Sequence, residues 1–380
     1  MIVTMLFLLA AQAETNPKTP PATAGAKVEF RYDITIKPVE RVALVEMVVR
    51  QDAVGLESMR FHIDPDRHVG FEGDGTVASD GPAYVVWDLP ADGGKLTWTA
   101  RIDHLREPTA YDARIASGWA LFRGSDIVPP AASRVTEDAT STARARFDLP
   151  NKWELVSRHE PMDDGFVRLE DENRFYKRPS GWMMVGKLES MTFEVAGTAV
   201  KLATSPKLGL HLTDLRSFLR WTLPSFRDLL GELPKTLVVV GSGDPMWRGG
   251  LSGPNSLYLH RDRPLIDSDS TSPVLHELTH VFMGAKSGPG GDWIVEGLAE
   301  YYALEVLTRS GGITKEERDE AMERLKRRGR KVDSLDVEHS RGRITARATA
   351  VLDRLDRRIR ELTNGAKSLD DVLRALLEQT

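Results

Sequence analysis

The chain of 380 residues contains no cysteine, which excludes disulfide staples and thiolate zinc sites. It has no basic excess either: 51 Lys and Arg stand against 56 Asp and Glu, for a net charge of −5. That balance gives no reason to expect a nucleic-acid partner. Long apolar runs are also missing, and no stretch approaches the roughly 18 residues that a membrane span requires. The longest candidate is the opening MIVTMLFLLAAQAE. It ends in Ala11-Gln12-Ala13, a small-x-small cleavage pattern, and reads as a signal peptide over residues 1–13 although basic residues do not precede it. The expected destination is periplasmic or secreted. Residues 14–26, rich in Pro, Thr and Ala, read as a linker.

What is present is enough apolar material for a large core, 41% of the chain. From residue 27 the pattern is that of strands. Val28, Phe30, Tyr32, Ile34 and Ile36 alternate with polar residues, and Leu96, Trp98, Ala100 and Ile102 repeat the period. No long helical period precedes residue 150, so residues 27–150 are expected to form a β-sandwich-like domain. Residues 151–380 mix the two periods. Residues 213–230 look helical, broken or kinked at Pro224, and Leu237–Val240 reads as a buried strand. Ser256–His260 (SLYLH) reads as another. Beyond Trp293 the chain looks almost wholly helical, with capping boxes at Thr314/Glu317 and Ser368/Asp371. The charged block 315–331 reads as a solvated helix face. There is no internal repeat.

The chemistry is concentrated in Leu275-His276-Glu277-Leu278-Thr279-His280-Val281-Phe282. Four helical residues turn the chain about 400°, so His276 and His280 share a face one turn apart and can reach one Zn²⁺. Glu277 follows the first histidine directly. Its carboxylate can reach an attacking water without ligating the metal, as a general base must. A catalytic zinc wants a third protein ligand, and the metzincin pattern is absent, since Met283 and Lys286 stand where its glycine and histidine belong. After the loop Ala285–Asp292 comes Trp293-Ile294-Val295-Glu296-Gly297-Leu298-Ala299-Glu300-Tyr301-Tyr302, which offers carboxylates on a second helix.

This pair of motifs, H-E-x-x-H and W-x-x-E-G-x-A-x-Y-Y, resembles the gluzincin peptidases of the M1 and M61 aminopeptidase families, with M61 the nearer branch. The resemblance implies a multidomain α+β protein: a β-rich N-terminal domain before a thermolysin-like catalytic domain of mixed sheet plus helices. It further implies that His276, His280 and Glu296 bind Zn²⁺, that Glu277 is the catalytic base, and that Glu300 orients an imidazole. Glu300 is also the rival third ligand. The stretch from Gly249 to Leu265, with its strand SLYLH, is similar to the segment that forms the active-site edge strand in these families. His211, His260 and His339 read as ordinary packing or surface histidines.

Two departures qualify the resemblance. No G-x-M-E-N stretch is present. In addition, the tyrosine expected to donate to the oxyanion is missing. Setting Leu355-Asp356-Arg357-Arg358-Ile359-Arg360 on the matching helix puts Thr345 in its place, and no tyrosine follows Tyr302. The expected function is therefore zinc-dependent peptide hydrolysis, weakened by the lost oxyanion donor. The alternative is a zinc-binding pseudopeptidase that serves peptide binding or assembly.

Overall fold

The computed structural model describes residues 25–171, 173–285 and 287–378. The signal peptide and nearly all of the linker lie outside them. Alternation in the sequence becomes alternation of burial. Strand Lys27–Lys37 buries Val28, Phe30, Tyr32, Ile34 and Ile36, and it lies between Val42–Gln51, antiparallel, and Thr140–Asp148, parallel. Strand Gly93–Arg101 buries Leu96, Trp98 and Ala100. These strands belong to a seven-stranded sheet, which shares one core with a five-stranded and a four-stranded sheet. Before residue 150 the described residues contain a single helical turn, α1 (Gly124–Ile127). Strand pairing carries this all-β part past residue 150 to Gly186, because Trp182–Gly186 pairs with Trp119–Arg123.

A second unit of structure follows, built on a mixed sheet. Its strands lie in the order Glu189–Val195, Thr198–Thr204, Thr236–Ser242, Ser256–His260 and Gly250–Gly253. The three inner strands are parallel, and each outer strand is antiparallel to its neighbour. SLYLH is thus an inner strand, and the edge is Gly250–Gly253. The apolar run Leu237–Val240 divides its side chains between two faces. Leu237 and Val239 join the core under the helices, whereas Val238 and Val240 join Trp182, Met184 and Tyr258 against the all-β part. Being covered on both faces explains why that strand is apolar without alternation.

The helices are α2 (Leu212–Leu230), α3 (Pro273–Met283), α4 (Asp292–Arg309), α5 (Lys315–Gly329), α6 (Arg343–Leu362) and α7 (Leu369–Leu377). The helix expected over residues 213–230 forms as α2 and is not broken at Pro224. Pro224 and Arg220, whose carbonyl loses its partner, are both exposed, so the ring and the freed carbonyl face water. Both capping boxes form, with Thr314 and Glu317 starting α5 and Ser368 and Asp371 starting α7. The architecture is mixed α+β. No described helix is long and apolar enough to cross a membrane.

Candidate metal centre

Helix α3 is fixed at both ends. The Ser272 hydroxyl accepts the Leu275 N–H at 3.2 Å and donates to the Leu265 carbonyl at 2.6 Å, and Pro273 occupies the first helical turn. At the other end Gly284 takes the left-handed conformation, φ 58°, where a side chain would be strained. Val274, Leu275, Leu278 and Val281 bury one face in the core. The less buried side therefore carries His276 and His280 toward α4 and Glu277 toward strand Gly250–Gly253.

Helix α4 supplies the carboxylates. Its close approach to α6 depends on Gly297, where a Cβ would stand 2.8 Å from Ala348 Cβ and 3.0 Å from Leu352 Cδ1. The glycine that follows Glu296 is thus a packing requirement. Tyr301 and Tyr302 are fully buried against each other, ring centroids 5.1 Å apart.

The resulting cluster is compact. His276 Nε2 lies 3.2 Å from His280 Nε2 and 3.5 Å from Glu296 Oε2, and His280 Nε2 lies 3.4 Å from Glu296 Oε1. Ligand atoms around a zinc at 2.0–2.1 Å stand about 3.3–3.4 Å apart, and these separations, with one Glu296 oxygen nearer each histidine, are of that size. Among the described residues these three form the one histidine–carboxylate group close enough to share an ion. Glu300 meets the other nitrogen of the same ring: its Oε2 is 3.0 Å from His276 Nδ1, on the side away from the cluster. Glu277 points elsewhere, accepting the Ser252 N–H from edge strand Gly250–Gly253 at 2.9 Å.

The electrostatics suit a cation. Burial disfavours a charged His276, but hydrogen bonds to Glu296 and Glu300 outweigh it and push the imidazole up to about 10. Burial and the nearby His276 charge bring His280 down to about 4. The Glu296 carboxyl is held low: burial would raise it, and His276 and His280 overcome that. Burial raises Glu277 against the pull of His276 and Ser252, moving a base toward neutral pH.

Thr345, in the first turn of α6, lines the cavity of about 400 Å³ that also contains His276, Glu277, Glu296 and Glu300. No tyrosine lines it. His260 is buried in its strand, His339 is exposed beside Glu338, and His211 precedes α2, so none of the three joins the cluster.

No family model matches the sequence, and no curated protein matches it. Solved structures do. An aminopeptidase N family protein from Idiomarina loihiensis superposes with a TM-score of 0.66 at 13% identity, over 92% of this chain and 70% of that one. An M1 zinc metallopeptidase from Deinococcus radiodurans gives 0.60 at 16% identity, over 94% and 87%. The chain has the fold of the M1 zinc peptidases. Leukotriene A4 hydrolase from Saccharomyces cerevisiae shares this M1-like fold, with a TM-score of 0.58 at 12% identity over 96% of this chain and 65% of that one. At such identities the likeness is one of fold.

Placed on the M1 fold, the site includes residues that sequence reasoning missed. Ser252 contributes only its backbone amide, which no side-chain pattern announces. Asp292, at the start of α4, accepts the Ser340 N–H at 2.6 Å and ties down the segment leading into α6. Arg263, Arg328 and Arg341 line the cavity from three separate segments, and no motif joins them.

Proposed function

We propose that this chain is a zinc-dependent peptidase of the gluzincin type, aminopeptidase-like, acting on peptides. The carrying observation is the close cluster of His276, His280 and Glu296, with Nε2 atoms 3.2 Å apart and each 3.4–3.5 Å from a Glu296 oxygen, and with Glu277 beside it and free of it. His276, His280 and Glu296 would hold the zinc, and Glu300 would keep the His276 ring in position. Zinc, when bound, supplies Lewis acidity toward a scissile carbonyl and makes water a better nucleophile. Glu277 would accept the proton of the attacking water on its free carboxylate oxygen and deliver it to the leaving nitrogen. The outer edge of Gly250–Gly253 offers main-chain groups along which an extended peptide can lie.

Metal analysis with a peptide-hydrolysis assay tests this reading. The purified protein should hold about one zinc, His276→Ala and His280→Ala should lose it, and Glu277→Gln should keep it while losing turnover. A Glu277→Gln variant stripped of its metal would overturn the division of roles. One observation favours a second reading, the pseudopeptidase: Thr345 occupies the cavity wall where an oxyanion-donating tyrosine is expected. A zinc-loaded protein that binds peptides and cleaves none would establish it.

A further inference from the structure

The cavity over the cluster is lined by charge of both signs. Glu277, Glu296 and Glu300 belong to it. The same lining includes Arg263, just after strand Ser256–His260, Arg328 near the end of α5, and Arg341 just before α6. Among the described residues none of these three guanidiniums makes a hydrogen bond, ion pair or ring contact with the protein. Arg328 is tucked against the entrance to α6, its Nη2 lying 3.4 Å from where a Cβ on Gly342 would stand. Asp267 and Asp269 line the same wall, but each has an oxygen committed to its own loop. Asp267 accepts the Ser268 N–H at 2.7 Å, and Asp269 accepts the Thr271 N–H at 3.2 Å and the Thr271 hydroxyl at 2.6 Å. Helix α6 begins at the same place without a side-chain cap or an acidic residue in its first turn, which adds positive potential of the same sign.

The three guanidiniums come from separate segments of the chain and none is paired with a carboxylate, although Asp267 and Asp269 line the same cavity. A guanidinium is built to grip a carboxylate in two-point fashion. We propose that this cavity recognises peptides by a carboxylate, held by Arg263, Arg328 and Arg341. The proposal rests on the peptide-binding reading of the site and narrows it to anionic ligands. The carboxylate has two possible sources, an acidic side chain or a free C-terminus.

The test is direct binding, measured by fluorescence anisotropy on the full-length zinc-loaded protein carrying Glu277→Gln, so that turnover does not intervene. Labelled pentapeptides differ in one feature at a time: Glu against Gln at each interior position, and a free against an amidated C-terminus. Neutralising the recognised carboxylate should weaken binding about 10-fold. Preference for Glu over Gln identifies a side chain, and preference for the free end identifies the C-terminus. Arg263→Gln, Arg328→Gln and Arg341→Gln, alone and combined, should erase that preference while leaving the neutral peptide's affinity unchanged. Equal affinity for charged and neutral peptides overturns the proposal, as does failure of every peptide to bind or a preference that survives the triple variant. Hydrolysis by the unmodified protein is scored separately: carboxylate-dependent binding without cleavage removes the peptidase reading and leaves this one standing.

Discussion

Two carboxylates one helical turn apart reach the same imidazole from opposite sides. Glu296 approaches Nε2 among the clustered atoms, and Glu300 approaches Nδ1 behind the ring. Loss of a metal ligand removes tight binding, whereas loss of an orienting carboxylate weakens it about 10–100-fold. Titration with zinc and a competing chelator should therefore rank Glu296→Ala as the more damaging change, and the reverse order would exchange their roles. Thr345 gives a second test. Its position on the cavity wall suits a donor, but its side chain is short, and removing one oxyanion donor costs about 10²–10³ in rate. Thr345→Tyr should raise kcat with little change in zinc content, and unchanged turnover would mean that another group already serves the oxyanion. The shared face of His276 and His280 was legible in the sequence because helical periodicity fixes their relative directions, whereas Glu296, on another helix, came from the motif resemblance alone. The arginines were not legible, because only the folded chain brings residues 263, 328 and 341 to one wall.

At the level of elements, α6 is set by two glycines that leave no room on either side. Gly297 of α4 meets Ala348 and Leu352, and a Cβ on Gly329 of α5 would stand 2.6 Å from the Arg347 backbone nitrogen. Backbone cannot yield as a flexible side chain can, so Gly329→Ala and Gly297→Ala should each destabilise the protein by about 1–3 kcal/mol. Thermal unfolding should show a lower Tm for both, and wild-type stability in either would mean that the helices can part without cost. Helix ends were readable in advance, since Thr314/Glu317 and Ser368/Asp371 are local signals. The extent of α2 was read to within a residue, but its passage through Pro224 without a break was not, because whether a proline breaks a helix depends on which way its ring faces. Likewise SLYLH was found as a strand and its place inside the sheet was not, since strand order is decided by pairing with residues far along the chain.

Across the whole molecule, the mixed sheet is held between the helices and the all-β part, and that second junction contains titratable groups. His159 Nε2 accepts the Ser180 N–H at 3.2 Å, and Lys201 of the sheet donates to the Ser157 carbonyl at 3.1 Å. Burial, together with Arg158, brings the His159 imidazole down to about 3. Burial also brings His68 down to about 4. A histidine kept neutral in the fold and protonated when unfolded contributes stability in full above its ordinary value near 6.5. That contribution is lost as pH falls through the folded value. Stability should therefore decline from about pH 6.5 toward pH 3–4, each histidine adding up to about 1.4 kcal/mol per pH unit. Denaturant unfolding of His159→Gln should show a flatter profile across that window, and a slope identical to wild type would remove His159 from the account.

A sheet that ends in an open strand invites another chain to add itself, and many proteins blunt such edges with charge. Here the Ser252 amide on the edge strand is already taken by the Glu277 carboxylate. The side chain assigned to proton transfer thereby also acts as a guard. A stray strand seeking to extend the sheet must displace a buried anion before it can pair with the Ser252 amide. The site can in this way stay open to its ligand without making the molecule adhesive toward its own kind.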